Sequence, residues 1–318
     1  MRVSTRHAAV DMASNAFDIA PATVISRIAA AIPEAQRSSM VIIGSLAAGF
    51  HYFADRAGMQ VRTKDADCLL DPRDIVVRDA ASLTNALLTA GWTFHAWDDR
   101  RPGKAETPDD RIPVIRLDPP GGDGWFIEIL TSSRSLDVQR DQVRVTTDLG
   151  DLQVAGFPFL DLNAHGARQA FGLKVAAPAM LSLANLLGHP HVTEVRMSQP
   201  VGGASIRRSS KDLGRVLALA WLEESWAQRR VAAWADLWAS GLRACYPAEA
   251  TALAKVCGSG LRELPDRPSH LADAHHAAIH GILHGVQQQP SVDDLRIMGL
   301  RLFQDAIEEL PHRIAALR

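Results

Sequence analysis

Over the first half of the chain the spacing of apolar positions changes several times, and each change marks an element. Residues 22–32 (ATVISRIAAAI) put apolar side chains three and four apart, which predicts a helix stopped by Pro33. Met40 to Ile43 is a short apolar run ending at Gly44-Ser45. It predicts a buried strand and a turn, with a helix resuming over Leu46 to Phe53. Val61 to Leu70 predicts a second strand, ended by Asp71-Pro72, and residues 79–90 an amphipathic helix ending at Gly91. Trp92 to Trp97, Ile112 to Leu117 and Trp125 to Leu130 carry strand patterns. The polar stretch from Asp98 to Arg111 separates the first two as a loop, and Gly121-Gly122-Asp123-Gly124 joins the last two as a hairpin.

From about residue 160 alanine, leucine and tryptophan recur at helical spacing and no strand pattern is read. Helices are predicted over 177–187, 210–228, 229–245, 247–257, 269–286 and 292–317, with Trp221, Trp226, Trp234 and Trp238 as packing residues. No repeat or low-complexity tract interrupts them. The expected architecture is α+β: a mixed sheet flanked by helices over 1–160, then an all-helical domain over 161–318, with a cleft between them.

Composition narrows the function classes. With 34 basic and 36 acidic residues the formal charge is −2, so no global field draws the chain to nucleic acid or an anionic membrane. Cys68, Cys245 and Cys257 form neither a disulfide framework nor a CxxC zinc site. The N-terminal stretch lacks the apolar core of a secretion signal, and no run reaches the roughly 20 apolar residues of a membrane span. A cytoplasmic, soluble protein is expected.

The chemistry concentrates between Val41 and Leu70. In a strand Asp65 and Asp67 project to one face, about 6–7 Å apart along the chain. Two carboxylates so close repel each other, and a hard divalent cation, Mg²⁺ or Mn²⁺, relieves the conflict. Gly44-Ser45 at a strand-to-helix turn offers close backbone approach, helix N–H groups and a hydroxyl to phosphate oxygens. Glu128, in GWFIEIL, is an acid inside an apolar strand and the candidate third ligand.

Each feature also has a plain structural reading. The acid pair could lie on a solvated edge strand, Gly44-Ser45 could be an ordinary turn, and Glu128 could pair with Arg116 or Arg134. His276, His280 and His284 recur at i+4 with Asp273 nearby, a spacing that can bind zinc but more often marks a packed or solvated face. Arg100, Arg101 and Lys104 belong to a solvated insertion or else gate a phosphate-rich substrate.

Together the Gly-Ser turn, the following helix, Arg62-Thr63-x-Asp65-x-Asp67 with Leu69, and Glu128 between hydrophobic residues resemble the polymerase-beta-like nucleotidyltransferase superfamily. The resemblance is to its bacterial abortive-infection and toxin-type members; it covers roughly 38–131 and extends more weakly to about residue 220. It implies a nucleotidyltransferase fold, with Asp65, Asp67 and Glu128 as catalytic metal ligands for Mg²⁺ or Mn²⁺. Gly44, Ser45 and Thr63 would meet the phosphates of an NTP such as ATP. It further implies that Lys211-Asp212, in SSKDLGRVLAL, contacts the nucleotide; the plain alternative is a helix start capped by Ser209 or Ser210. Two departures stand out: the acid expected three residues after Asp212 is Arg215, and MLSLANLL lacks the lysine expected on the preceding helix.

The function so implied is transfer of a nucleoside monophosphate from an NTP to an acceptor. The acceptor is open between RNA such as tRNA, a protein and a small molecule; an antitoxin protein is the implied partner, and no membrane is involved. The rival readings are a non-catalytic nucleotide- or RNA-binding relative and a helical interaction scaffold.

Overall fold

The computed structural model describes residues 17–56, 58–95, 100–133, 135–136 and 141–317. Residues 1–16, Trp97, Asp98 and Arg134, each used in a sequence expectation, lie outside the described residues. The chain runs through β1 (Phe17–Ile19), α1 (Pro21–Ala31), α2 (Glu34–Arg37), β2 (Met40–Ile42), α3 (Gly44–Phe53), β3 (Val61–Thr63) and β4 (Asp65–Leu70). It continues through α4 (Val76–Thr89), β5 (Thr93–Phe94), β6 (Arg116–Asp118), β7 (Phe126–Ser132), β8 (Asp141–Thr147) and β9 (Gly150–Phe157). Then come β10 (Arg168–Ala170), β11 (Leu173–Val175), α5 (Pro178–Gly188) and α6 (Arg208–Trp221). The remainder is helical: α7 (Trp234–Cys245), α8 (Ala250–Val256), α9 (Ser259–Glu263), α10 (Pro268–Ile279), α11 (Val292–Leu302) and α12 (Leu310–Ala316).

The fold is thus mixed α+β, with a mixed sheet followed by a helical C-terminal region. Nine strands form the sheet in the order β10-β11-β2-β4-β7-β6-β5, with β9 on β7 and β8 on β9. β2 sits between β11 (parallel) and β4 (antiparallel), and all three of its residues are fully buried, which is why it reads as an unbroken apolar run. β4 and β7 are parallel, and the predicted hairpin is present as β6–β7, with Arg116 opposite Glu128. α1 starts on Pro21, whose fixed φ suits a first helical position, and packs Val24, Ile25, Ile28 and Ala29 inward.

Three expectations need correction. The strand over Val61 to Leu70 divides at Lys64: β3 pairs only with β1 in a separate ribbon, while β4 joins the main sheet. The Thr63 hydroxyl donates to the Asp65 carbonyl at 3.1 Å and to its carboxylate at 2.8 Å, a local bond that competes with the ladder and turns the chain. Strands also continue past residue 160, as β10 and β11 joined at Phe171 and Gly172, both at positive φ as a tight hairpin turn demands. The helices predicted over 210–228 and 292–317 are each interrupted by a wider π-type turn, at Leu222–Trp226 and Phe303–Ile307.

One buried apolar cluster runs from Ile19 to Ile314 and crosses both halves of the chain. Polar contacts cross as well: the Tyr52 hydroxyl donates to Glu223 at 2.8 Å, and the Arg62 N–H to the Gly281 carbonyl at 3.3 Å. Among the described residues no helix is long and apolar enough to cross a membrane.

Candidate metal centre

The parallel pairing of β4 with β7 builds the site. Strand period puts Asp65 and Asp67 on one face, and register puts Glu128 directly beside Asp67 on the neighbouring strand. Strands lie about 4.8 Å apart, so the three carboxylates converge. One oxygen from each of Asp65, Asp67 and Glu128 lies within 4.8 Å of the other two, the only such metal-capable group among the described residues. The acid pair is half-buried between Ala66 and Cys68, which are wholly buried, and the strand is internal to the sheet, so the solvated-edge reading does not hold.

The electrostatics are those of a site short of positive charge. Burial, then repulsion from Asp65 and Glu128, pushes the Asp67 carboxyl up to about 7; Arg215 and Lys211 pull it part of the way back. Glu128 also accepts hydrogen bonds from Arg116 Nη2 at 3.1 and 3.3 Å, so the acid serves the triad and an ion pair at once. Thr63 fixes the Asp65 carboxylate through its hydroxyl, so that hydroxyl serves an acid in this structure. Gly44 begins α3 at φ +67°, and a Cβ there would collide with Asp67 Oδ2. The turn is therefore shaped around the acid, and only glycine lets the two meet.

Beside the acids lies a cavity of about 140 Å³ walled by both halves of the chain. Ser45, Thr63, Lys64 and Asp65 line one side; Lys211, Arg215 and Ala218 of α6 line another; Met197 to Gly202 and Ala277 to Ile282 close the rest. Lys64 is hydrogen-bonded to Gln199 across this space, and its burial lowers its pKa. Gly44, Ser45, Thr63, Asp65, Asp67, Glu128 and Lys211 are thus gathered around one locus.

Asp212 is engaged differently. Its carboxylate accepts a hydrogen bond from His189 Nε2 at 2.9 Å. Burial would raise its pKa, but Lys211, the His189 hydrogen bond and Arg215 outweigh it and hold the carboxyl well below its usual range. The alternative of a serine cap on α6 does not hold: Arg207 occupies the cap position, Ser209 Oγ accepts from Thr193 N–H, and Ser210 Oγ meets His270. The histidines do not share one helical face, because α10 ends at Ile279, and among the described residues they form no metal-capable group. His276 meets the Val201 carbonyl at 2.8 Å, the His276 and His280 ring centroids are 4.2 Å apart, and His284 lies 3.4 Å from Asp18.

Sequence reasoning missed His189 and the 197–202 wall, for which no local pattern exists. Arg215 entered only as a departure from the family pattern, although it stands four residues after Lys211 and so on the same helical face. Compared with known proteins, the sequence matches no protein-family model and no curated protein.

Proposed function

We propose that this chain is a metal-dependent nucleotidyltransferase that moves a nucleoside monophosphate from an NTP to an acceptor hydroxyl or phosphate oxygen. The observation that carries the reading is the convergence of Asp65, Asp67 and Glu128 on adjacent parallel strands beside a cavity with cationic walls. The donor set fits Mg²⁺ or Mn²⁺: three hard carboxylates within reach of one ion, one of them pushed up in pKa by its neighbours, and a glycine that keeps the space open. When bound there, the ion would offset the carboxylate charge and polarise phosphate oxygens during in-line displacement of pyrophosphate.

The chain's own residues account for the rest. Thr63 orients Asp65, and Arg116 orients Glu128. Ser45, near the N-terminus of α3, offers its hydroxyl and the first helical N–H groups to an anionic oxygen. Lys211 brings positive charge from the opposite wall, and Met197, Ala218, Ala277 and Ile282 keep that side apolar. Glu128, facing the acids, is the group to take the acceptor's proton.

A second reading, nucleotide binding without turnover, is favoured by the Arg116–Glu128 pair, which occupies the third acid. The two separate on one experiment: full-length protein is incubated with labelled NTPs, Mg²⁺ and total RNA or protein, alongside thermal unfolding with each NTP. A labelled product that disappears in Asp65→Asn/Asp67→Asn supports transfer. Stabilisation by NTP with no product supports the binder, and neither response refutes both.

A further inference from the structure

Arg215 stands where the resemblance leads one to expect an acid, and the structure gives that replacement a position. Lys211 and Arg215 are one turn apart on α6 and face the cavity together with Ala218. Their side chains are only 32% and 18% exposed, and neither makes a hydrogen bond among the described residues. Their nearest counter-ion is a single shared carboxylate, Asp212, at 3.9 and 3.8 Å, which is itself held by His189. Two cations drawn out of water with their donors unused favour an anion between them. The acids of β4 and β7 cannot supply it directly, since they occupy the other wall and are themselves suited to a cation. The cavity therefore has one wall built for a divalent ion and another built for a polyanion.

We propose that the α6 face is a polyphosphate subsite, in which Arg215 acts with Lys211 to bind the terminal phosphates of a nucleoside triphosphate. Asp212, itself held by His189, lies beside both cations, and both line the cavity. The planar fork of Arg215 suits two oxygens of one phosphate, which Lys211, a point charge, does not. The inference rests on the nucleotidyl-transfer reading only for the identity of the nucleotide; the subsite itself follows from the two cations.

The test is calorimetric titration of the full-length protein with inorganic tripolyphosphate, with Mg²⁺-ATP and with AMP. Arg215→Ala is expected to weaken tripolyphosphate and Mg²⁺-ATP binding roughly ten- to a hundredfold, the size of a charge-assisted contact. AMP binding should change little, and Arg215→Lys should recover part of the loss. Mn²⁺ alone should bind Arg215→Ala at least as tightly as the parent, because a positive charge has left the neighbourhood of the triad; general disruption of the site would weaken it. Equal tripolyphosphate affinity in parent and Arg215→Ala, including no binding by either, overturns the subsite. If binding depends on Arg215 while no nucleotide is ever transferred, the subsite stands and the transfer reading falls. If transfer proceeds unchanged in Arg215→Ala, the subsite falls and the transfer reading stands.

Discussion

Asp67→Asn should make the metal-free protein more stable while removing its response to metal. The substitution keeps the size of the side chain and deletes one of three converging charges. In the unfolded chain this carboxyl titrates near 3.8, whereas burial, Asp65 and Glu128 push it up to about 7 in the folded protein. Each pKa unit corresponds to about 1.4 kcal/mol, so the ionised form costs the native state up to roughly 4 kcal/mol well above pH 7. The sign follows from linkage: the folded state holds the proton more tightly. Stability from this group is therefore present below pH 4, lost as pH rises from about 4 to 7, and constant above. Asparagine has no proton to lose and escapes that loss. At pH 8 in the presence of EDTA the variant should exceed the parent by about 2–4 kcal/mol, with the gap closing as pH falls towards 4. Urea unfolding across pH measures the difference directly, and taking parent minus variant cancels the other titrating groups. With Mn²⁺ added, the parent should gain stability as the logarithm of metal concentration and the variant should not. A variant that is less stable than the parent at every pH, or that keeps the metal response, would refute the like-charge account of the site.

Other substitutions probe the same design. Gly44→Ala forces an L side chain to φ +67° and a Cβ into Asp67 Oδ2, so it should cost at least 1–2 kcal/mol in urea unfolding and weaken Mn²⁺ binding. Glu128→Gln should lower turnover far more than NTP affinity; equal losses in kcat and in affinity would make Glu128 only the partner of Arg116. Tyr52→Phe removes the hydroxyl that reaches buried Glu223 and should destabilise the fold by about 1 kcal/mol, the net value of one such bond, with no change in metal binding.

What the sequence disclosed follows the range of the forces involved. Asp65, Asp67 and the Gly44 turn were legible because strand period and turn chemistry act over a few residues. Glu128 was legible as an acid in an apolar strand, yet its dual attachment was not, since opposing Asp67 and Arg116 depends on two different strand registers. The β8–β9 hairpin went unassigned although Val143, Val145 and Thr147 alternate and Gly150 closes its turn at φ +115°. The strands β10 and β11 are three residues each, too short for any period to show. His189 reaches Asp212 across 23 positions of sequence, a pairing that packing alone creates.

The late strands change how the two halves must be understood. β11 pairs with β2, whose Met40, Val41 and Ile42 are wholly buried, so a chain cut near residue 160 would turn an interior strand into an exposed apolar edge. The same cut would remove α6, and with it Lys211 and Arg215, whose charges partly offset the repulsion on Asp67. Such a fragment would therefore lose a strand partner and the cations facing its acids together. Before any metal arrives, the acid wall is tolerable because a cationic wall stands across the cavity. The sheet sets the positions of the acids and brings Arg116 to Glu128, while the cations that partly offset the repulsion on Asp67 come from the helical region.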